Sequence, residues 1–249
     1  MTDVLGWRKK FGIIGPSTNT IVQPDFDDMR VKGVTNHYSR IFTPNSSAIS
    51  NETFLSGTTK ISEGVVDSVK SVMTCSPDYL VMGMSAITFY GGIEGARSFQ
   101  RKVEDSSGIK ISIGSHSTSA ALKTYGGVEN IAFLSPYYPV ANKEVKKYFE
   151  ECGFKVIRDV CLECKSWTAI AEVDESSLRE VILKQLDGDD IDAIVQVGTN
   201  LSMIRLAANL EKLLSKPVIA INTATYWHAL RSNDINDKVD GFGKLLSDF

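Results

Sequence analysis

The sequence lacks the features that proteins bound to nucleic acid or to membranes usually have. Its 27 lysines and arginines are scattered and are outnumbered by 30 aspartates and glutamates, so no basic surface for nucleic acid is expected. No apolar run approaches the roughly 18 residues of a membrane span, and the N-terminal MTDVLGWRKK lacks the apolar core of a signal peptide. We therefore expect no nucleic-acid partner, no membrane segment and a cytoplasmic location.

Cysteine is also scarce: the chain of 249 residues has four, Cys75, Cys152, Cys161 and Cys164. So few cysteines in a long chain are typical of free thiols and not of a disulfide framework. Cys161 and Cys164 have CxxC spacing, but the sequence offers no second pair to complete a zinc site. We predict neither structural disulfides nor a metal site.

Short apolar runs alternate with amphipathic stretches along the whole chain. Runs such as 10–15 (KFGIIG) and 192–198 (DAIVQVG) end at a glycine, and in 63–73 the apolar residues fall on one helical face. Continuous apolar strands that alternate with helices are typical of parallel sheets covered on both faces. The sequence therefore predicts an α/β fold.

Three segments of the first half recur in the second half. The pairs, in chain order, are 12–20 with 132–140, 81–86 with 195–200, and 111–122 with 219–230. Pro16 aligns with Pro136 in the first pair, and Gly83 aligns with Gly198 in the second. One such pair could arise by chance, but three in the same order indicate a duplicated unit.

This duplication predicts two pseudo-symmetric halves, each with a four-stranded parallel sheet. We place the first half at 1–118 and the second at 119–223, with a C-terminal helix in 224–249 that packs back on the first half. An exposed helix face in 204–214 could support a homo-oligomer.

Glycine and small polar residues follow the predicted strands in both halves, at 17–20, 83–85 and 198–200. Ligands of open α/β sheets bind outside the carboxyl ends of the strands. Glycine lets a ligand approach backbone N–H groups, and Ser, Thr and Asn can either cap the next helix or bind an anion. One such turn is ordinary helix capping, but several in two matched halves predict a shared cavity for a small acid.

These turns resemble the motifs of the aspartate/glutamate racemase superfamily, in the branch of maleate isomerase and arylmalonate decarboxylase. GIIGPSTNT (12–20) is similar to its carboxylate-binding turn, SPYYPVAN (135–142) to its Thr-Pro-Tyr turn, and VGTNL (197–201) to its Ser-Cys-Thr-Asn-Leu motif. YWHALR (226–231) resembles the helix after the last strand. The resemblance spans nearly the whole chain. It implies flavodoxin-like halves with the active site between them and a cofactor-independent enzyme for a small carboxylic acid.

The resemblance also assigns the substrate site to turns of both halves. Asn19 and Thr20 would bind one carboxylate together with Tyr137, and Ser85 would help to form an anion pocket. Thr199 and Asn200 of the second half would hold the other end of the substrate. We expect the side chains of these binding residues to lie outside the core. The predicted substrate-binding residues are Ser17, Asn19, Thr20, Gly83, Met84, Ser85, Tyr137, Gly198, Thr199 and Asn200.

Both catalytic thiols of the superfamily are missing. Racemases use two cysteines as acid and base, maleate isomerase uses one as a nucleophile, and arylmalonate decarboxylase keeps only the second as a proton donor. The resemblance places Gly83 and Gly198 at these two positions. A catalytic thiol must lie at the reacting atom as a thiolate or close to one, and none of the four cysteines is expected there. Two-thiol racemisation is therefore not expected.

Few other residues near the predicted strand ends can carry a proton. His116 follows the predicted strand 110–114 and is expected at the cavity rim, where its ordinary pKa suits acid–base catalysis. Tyr137 could donate a hydrogen bond to a carboxylate or enediolate without any pKa shift. We predict His116 and Tyr137 as catalytic candidates, whereas packing in the core is the alternative for His116. Phe89, Tyr90 and Trp167 could form an apolar side of the pocket or simply belong to the core.

The favoured function is a thiol-independent lyase reaction of the decarboxylase type on a small mono- or dicarboxylic acid. One alternative is a cis-trans isomerase of the maleate isomerase type. Another is a binding module that holds a small anion without turnover. The glycine-rich segment 91–95 lacks the GxGxxG spacing directly after a strand, so a nucleotide-dependent dehydrogenase is weakly indicated.

Overall fold

A computed structural model describes residues 3–45 and 47–249 and contains two four-stranded parallel sheets. The strands are β1 (Lys9–Pro16), β2 (Val34–Ile41), β3 (Tyr79–Met82), β4 (Ile111–Ser112), β5 (Asn130–Ser135), β6 (Lys155–Cys161), β7 (Ala193–Gln196) and β8 (Val218–Ala220). The strand order is β2-β1-β3-β4 in the first sheet and β6-β5-β7-β8 in the second. Both orders match the first four strands of a flavodoxin-like sheet. The prediction of two similar α/β halves is confirmed.

The register of the central strands also repeats between the halves. Ile13 of β1 pairs with Val81 of β3, and Phe133 of β5 pairs with Val195 of β7. All four side chains are fully buried because helices cover both faces of each sheet. This two-sided burial explains why the strands are continuous apolar runs without an alternating polar pattern.

Helices follow most of the strands and form the outer layers. They are α1 (Val22–Asp28), α2 (Asn51–Glu63), α3 (Val65–Met73), α4 (Ala86–Phe89), α5 (Gly92–Ser107), α6 (Gly114–Tyr125), α7 (Pro139–Glu151), α8 (Glu175–Val181), α9 (Ile204–Leu214), α10 (Ile221–Arg231) and α11 (Lys244–Ser247). A 3₁₀ helix at Ala169–Glu172 and a π-helical turn at Ile182–Leu186 lie between β6 and β7. No helix in the described ranges is long and apolar enough to cross a membrane.

Local sequence signals set several helix ends. A reciprocal pair of hydrogen bonds between Ser50 and Thr53 forms a capping box at the start of α2. Pro139 occupies the first turn of α7, where its missing N–H costs nothing. The helix α5 ends at Gly108, whose φ of 75° is the left-handed conformation that glycine adopts without strain.

The C-terminal region crosses back to the first half. α10 follows β8 of the second sheet but packs against α6, α1, β3 and β4. The proposed boundary between residues 118 and 119 falls inside α6, and residues 1, 2 and 46 of the proposed first half lie outside the described residues. The proposed division into halves and the homo-oligomer remain predictions. Leu213 of α9 is 61% exposed and would be covered by a second chain if this helix face formed the predicted contact.

Candidate functional site

A small cavity lies between the two halves, at the carboxyl ends of their strands. It measures about 40 Å³, which is room for about three water molecules. Seven of the predicted substrate-binding residues line it, namely Asn19, Met84, Ser85, Tyr137, Gly198, Thr199 and Asn200. Pro16, Thr18, Ile61, Ala86, Pro136, Trp167 and Ile170 complete the wall. Turns from both halves therefore meet at one place.

Asn19 joins the turn after β1 to the second half. Its Oδ1 accepts hydrogen bonds from the backbone N–H groups of Ile21 and Val22, at 3.0 and 2.9 Å, and so caps the start of α1. Its Nδ2 donates to Thr199 Oγ1 at 3.3 Å. Arg40 Nη1 donates to the Asn19 carbonyl at 2.8 Å. Hydrogen bonds thus hold both polar atoms of the Asn19 side chain and its backbone carbonyl, with one Nδ2 hydrogen still available.

Asn200 makes the reciprocal connection from the turn after β7. Its Oδ1 accepts a hydrogen bond from the backbone N–H of Thr20 at 3.0 Å, and its Nδ2 donates to the Trp167 carbonyl at 2.9 Å. Asn19, Thr199 and Asn200 are only 6–7% exposed. The expectation that these side chains lie outside the core is therefore wrong, because they link the two halves while they line the cavity.

The phenol of Tyr137 bridges the halves on the other side of the cavity. Its Oη lies 2.9 Å from the Val197 carbonyl oxygen and 2.5 Å from Ser85 Oγ. A carbonyl can only accept, so Tyr137 donates to Val197 and Ser85 donates to Tyr137. Burial raises the pKa of Tyr137, which keeps the phenol protonated. The ring packs against Phe54, with 5.4 Å between the ring centroids.

The cavity offers unpaired backbone donors but no charge. The N–H groups of Met84, Ser85, Gly198, Thr199 and Asn200 donate to no residue that the structure describes. These residues occupy equivalent positions after β3 and β7. None of the described residues that line the cavity has an ionised side chain. Backbone N–H groups that converge without a cation form concave sites that favour small anions.

The two glycines differ in their surroundings. A Cβ on Gly198 would overlap the ring of Pro136, and a Cβ on Gly83 would lie 2.9 Å from Val22 Cγ1. Gly198 lines the cavity, whereas Gly83 is buried behind α1 with its N–H bound to the Ile14 carbonyl at 2.7 Å. Close packing thus explains the glycine at position 198.

The four cysteines lie elsewhere. Cys75 is exposed, Cys152, Cys161 and Cys164 are half-buried, and none of them is among the described residues that line the cavity. Burial raises the pKa of Cys161 and of Cys164 to about 11. Neither thiol is a thiolate at neutral pH, as nucleophilic chemistry would require.

The structure does not bring His116 to the cavity. Its Nδ1 lies 2.8 Å from Gln100 Oε1 of α5, and its ring packs near Tyr148. Burial lowers the pKa of His116 to about 4. The expected position at the rim is wrong because β4 ends at Ser112 and α6 starts at Gly114, so His116 lies on a helix that turns it towards α5.

Three other predicted site residues do not line the cavity. The Ser17 hydroxyl accepts a hydrogen bond from the Thr43 N–H at 2.9 Å, and Thr20 is exposed and contributes only its N–H to Asn200. Gly83 is the third. Of the aromatic candidates, Trp167 lines the cavity, whereas Phe89 is fully buried in the core.

Sequence reasoning missed most of the apolar wall. Ile61 comes from the last turn of α2, and Ile170 comes from the 3₁₀ helix that follows Trp167. Neither residue follows a strand, so the strand-end rule could not find them. An antiparallel bridge between Ser47 and Ser166 joins the residues that precede α2 to those that precede the 3₁₀ helix.

The sequence matches a profile of the arylmalonate decarboxylase family over residues 47–246. It is also 28% identical over 123 residues to the maleate isomerase of Geobacillus stearothermophilus, a match that covers 49% of this chain. The chain spans about half the length of the curated relatives that it matches, 48% of that isomerase.

Solved structures are similar over nearly the whole chain. One is a Nocardia farcinica maleate cis-trans isomerase, a cysteine-to-serine variant with a covalently bound succinylcysteine intermediate, with a TM-score of 0.86, 19% identity and coverage of 97% of this chain and 99% of that chain. Another is arylmalonate decarboxylase, with a TM-score of 0.75, 18% identity and coverage of 95% and 98%. At 19% and 18% identity, these similarities show the fold alone. The family profile covers most of the chain, and the protein therefore belongs to the arylmalonate decarboxylase family.

Proposed function

We propose that the protein is a cofactor-independent enzyme that decarboxylates a small dicarboxylic acid without using a thiol. The observation that carries the proposal is an uncharged cavity lined by the Tyr137 phenol and by residues of both halves whose backbone N–H groups donate to no described residue. Such donors bind a carboxylate and stabilise the enediolate that forms when a second carboxylate leaves. The family of the chain supports this class of reaction.

The departing carboxylate would lie against the apolar wall of Ile61, Trp167 and Ile170. An apolar surface disfavours a charged carboxylate and favours neutral carbon dioxide. In the proposed step the bond to the departing carboxylate breaks, carbon dioxide leaves, and its electron pair stays on the substrate as an enediolate. The backbone N–H groups of Met84, Ser85 and residues 198–200 would hold that enediolate.

Tyr137 is the proposed proton donor. Its hydroxyl hydrogen, which points to the Val197 carbonyl, would turn to the α-carbon of the enediolate and form the new C–H bond. The remaining phenolate would be held by the hydrogen bond from Ser85 Oγ and would regain a proton from water when the product leaves. His116 has no part in the proposed reaction because its Nδ1 is hydrogen-bonded to Gln100 and the residue does not line the cavity.

A maleate isomerase reaction is the second candidate because the Geobacillus relative has that name. The succinylcysteine in the Nocardia structure is a covalent adduct on a cysteine of that protein. No cysteine is among the described residues that line the cavity here, so the decarboxylase-type reaction is favoured. A binding module without turnover is the third candidate, since Tyr137, whose pKa is raised by burial, is the only titratable group among the described residues that line the cavity.

The test is incubation of the purified protein with malonate, phenylmalonate and maleate in deuterium oxide. Release of carbon dioxide with deuterium at the α-carbon of the product would support decarboxylation, and Tyr137→Phe should abolish it. Formation of fumarate from maleate would establish the isomerase instead. Saturable binding of any of the three acids without turnover would leave only the binding module.

A further inference from the structure

A buried carboxyl group lies directly behind Thr199. Asp25, in the first turn of α1, is 6% exposed, and its Oδ2 accepts a hydrogen bond from Asn222 Nδ2 at 2.8 Å. The same amide nitrogen donates to the Thr199 carbonyl at 3.0 Å. A carboxyl of the first half, an amide of α10 and a cavity residue of the second half thus form one chain of hydrogen bonds.

The other atom of the Asn222 amide has no partner. Its Oδ1 is buried and accepts a hydrogen bond from no residue that the structure describes. A carboxyl group that already accepts from Nδ2 can supply the missing donor only when it is protonated. A protonated Asp25 that turned its hydroxyl to Asn222 Oδ1 while it still accepted from Nδ2 would satisfy the buried oxygen of Asn222.

The surroundings of Asp25 favour this protonated form. Burial, the largest effect, raises the pKa of Asp25 to about 7 although the hydrogen bond from Asn222 lowers it, and the charge of Asp28 also acts to raise it. Arg205 of α9 acts to lower it, but its guanidinium is already paired with Asp28 at 2.8 Å. The other charged and titratable groups on the elements around Asp25 include Asp27 of α1, His37, Tyr38 and Arg40 of β2, and Tyr226, His228 and Arg231 of α10.

Two of these groups have partners of their own. Arg40 binds the Asn19 carbonyl and Gln23, and the phenol of Tyr226 donates to Asn36. Tyr38 stays neutral because burial raises its pKa. No cation of the described residues therefore makes a hydrogen bond to Asp25 that would hold it ionised.

We propose that Asp25 is a positioning residue whose protonated carboxyl pairs with the Asn222 amide, holds Thr199 in place, and takes up a proton when a carboxylate binds in the cavity. An anionic ligand at Thr199 adds negative charge across the Asn222 amide and so disfavours ionised Asp25. The inference rests on the proposed function only in assuming that the ligand is a carboxylate.

The test compares the wild type with Asp25→Asn, which keeps the shape of Asp25 and always has a hydrogen to donate to Asn222 Oδ1. Asp27→Asn, an exposed neighbour on the same helix, is the matched control. All three proteins also carry Tyr137→Phe, so that phenylmalonate can bind without being decarboxylated, and its dissociation constant is measured by calorimetry between pH 6 and pH 8. The titration of the ligand itself is the same for all three proteins. The ratio of the wild-type Kd to the variant Kd therefore reports only the effect of Asp25.

If only the protonated form binds, the wild-type Kd relative to that of Asp25→Asn rises about tenfold from pH 6 to pH 8, since the competent fraction falls by that factor. Asp27→Asn should follow the wild type. Calorimetry of the Tyr137→Phe protein with Asp25 intact, in two buffers of different ionisation enthalpy, should show uptake of about 0.8 proton per phenylmalonate bound at pH 7.5. This second measurement needs no change at Asp25 and tests the proposal even if Asp25→Asn does not fold.

A ligand-free measurement separates this proposal from the proposed function. The pKa of Asp25 is raised on folding from 3.8 to about 7, so its stabilising contribution is complete below pH 4 and is lost as the pH rises through 7. The wild type should therefore lose stability relative to Asp25→Asn between pH 5 and pH 8. If the Kd has the same pH dependence with Asp25 and with Asp25→Asn, and no proton is taken up on binding, the coupling of Asp25 to the ligand is overturned but the proposed function is not. Absence of binding at every pH would overturn the proposed function and the coupling, whatever the stability data show.

Discussion

Replacing Asn19 by alanine should damage the stability of the protein and its ligand binding together. The change removes the cap on the Ile21 and Val22 N–H groups, which is worth about 1 kcal/mol. It also removes the bond to Thr199, which at 3.3 Å is worth about 0.5–1 kcal/mol. The expected loss is about 2 kcal/mol of unfolding free energy, or about 4–8 °C in Tm for a chain of this size.

In the same variant the binding free energy of the ligand should weaken by about 1.5–3 kcal/mol, because a hydrogen bond to a charged group usually contributes that much. This loss corresponds to an increase in Kd by a factor of about 10 to 150. Thermal unfolding and calorimetric titration with phenylmalonate measure the two effects. Thr20→Ala is the matched control, because the Thr20 side chain is exposed and only its N–H joins Asn200. An Asn19→Ala protein with wild-type Tm would show that the bridge between the halves is not formed as described.

Three further predictions follow from the cavity and its surroundings. Tyr137→Phe should lower kcat by at least about 100-fold while Kd changes by less than about tenfold, because the phenol is the proposed proton donor; parallel loss of both constants would contradict that role. Replacing all four cysteines by serine or alanine should leave turnover within a few-fold, and a stoichiometric thiol adduct that stops turnover would refute this. Gly198→Cys should lose about 1–3 kcal/mol of unfolding free energy because its Cβ would overlap Pro136, and a denaturation midpoint equal to that of the wild type would be inconsistent with this packing.

The sequence repeat predicts the fold well because its apolar runs correspond to strands that are buried on both faces. Strands covered on both faces must be apolar throughout, so runs such as 10–15 and 192–198 stand out without an alignment. The turns that follow them reach the cavity because parallel strands deliver their carboxyl ends to one edge. Asn19, Ser85 and Thr199 were predictable for that reason.

Other parts of the site depend on tertiary structure that the sequence pattern does not encode. His116 follows an apolar run of ordinary length, but only Ile111 and Ser112 pair in the sheet, so the helix begins early and carries the imidazole away. Ile61 and Ile170 reach the wall through segments that approach each other only in the folded chain. Asp25 looks like an ordinary acidic residue in the first turn of a helix, and only its burial against Asn222 distinguishes it.

The reciprocal bonds between Asn19 and Thr199 and between Thr20 and Asn200 also bear on how a ligand can enter. A hinge motion that separated the two halves along this seam would break both bonds at once and would dismantle the pocket that it opened. The side chains of Ile61 and Ile170 in the apolar wall make no hydrogen bonds, so they can move apart while the seam and the bond between Ser85 and Tyr137 stay in place. We therefore expect the seam to stay closed through a catalytic cycle, with substrate and product exchanging past the apolar wall.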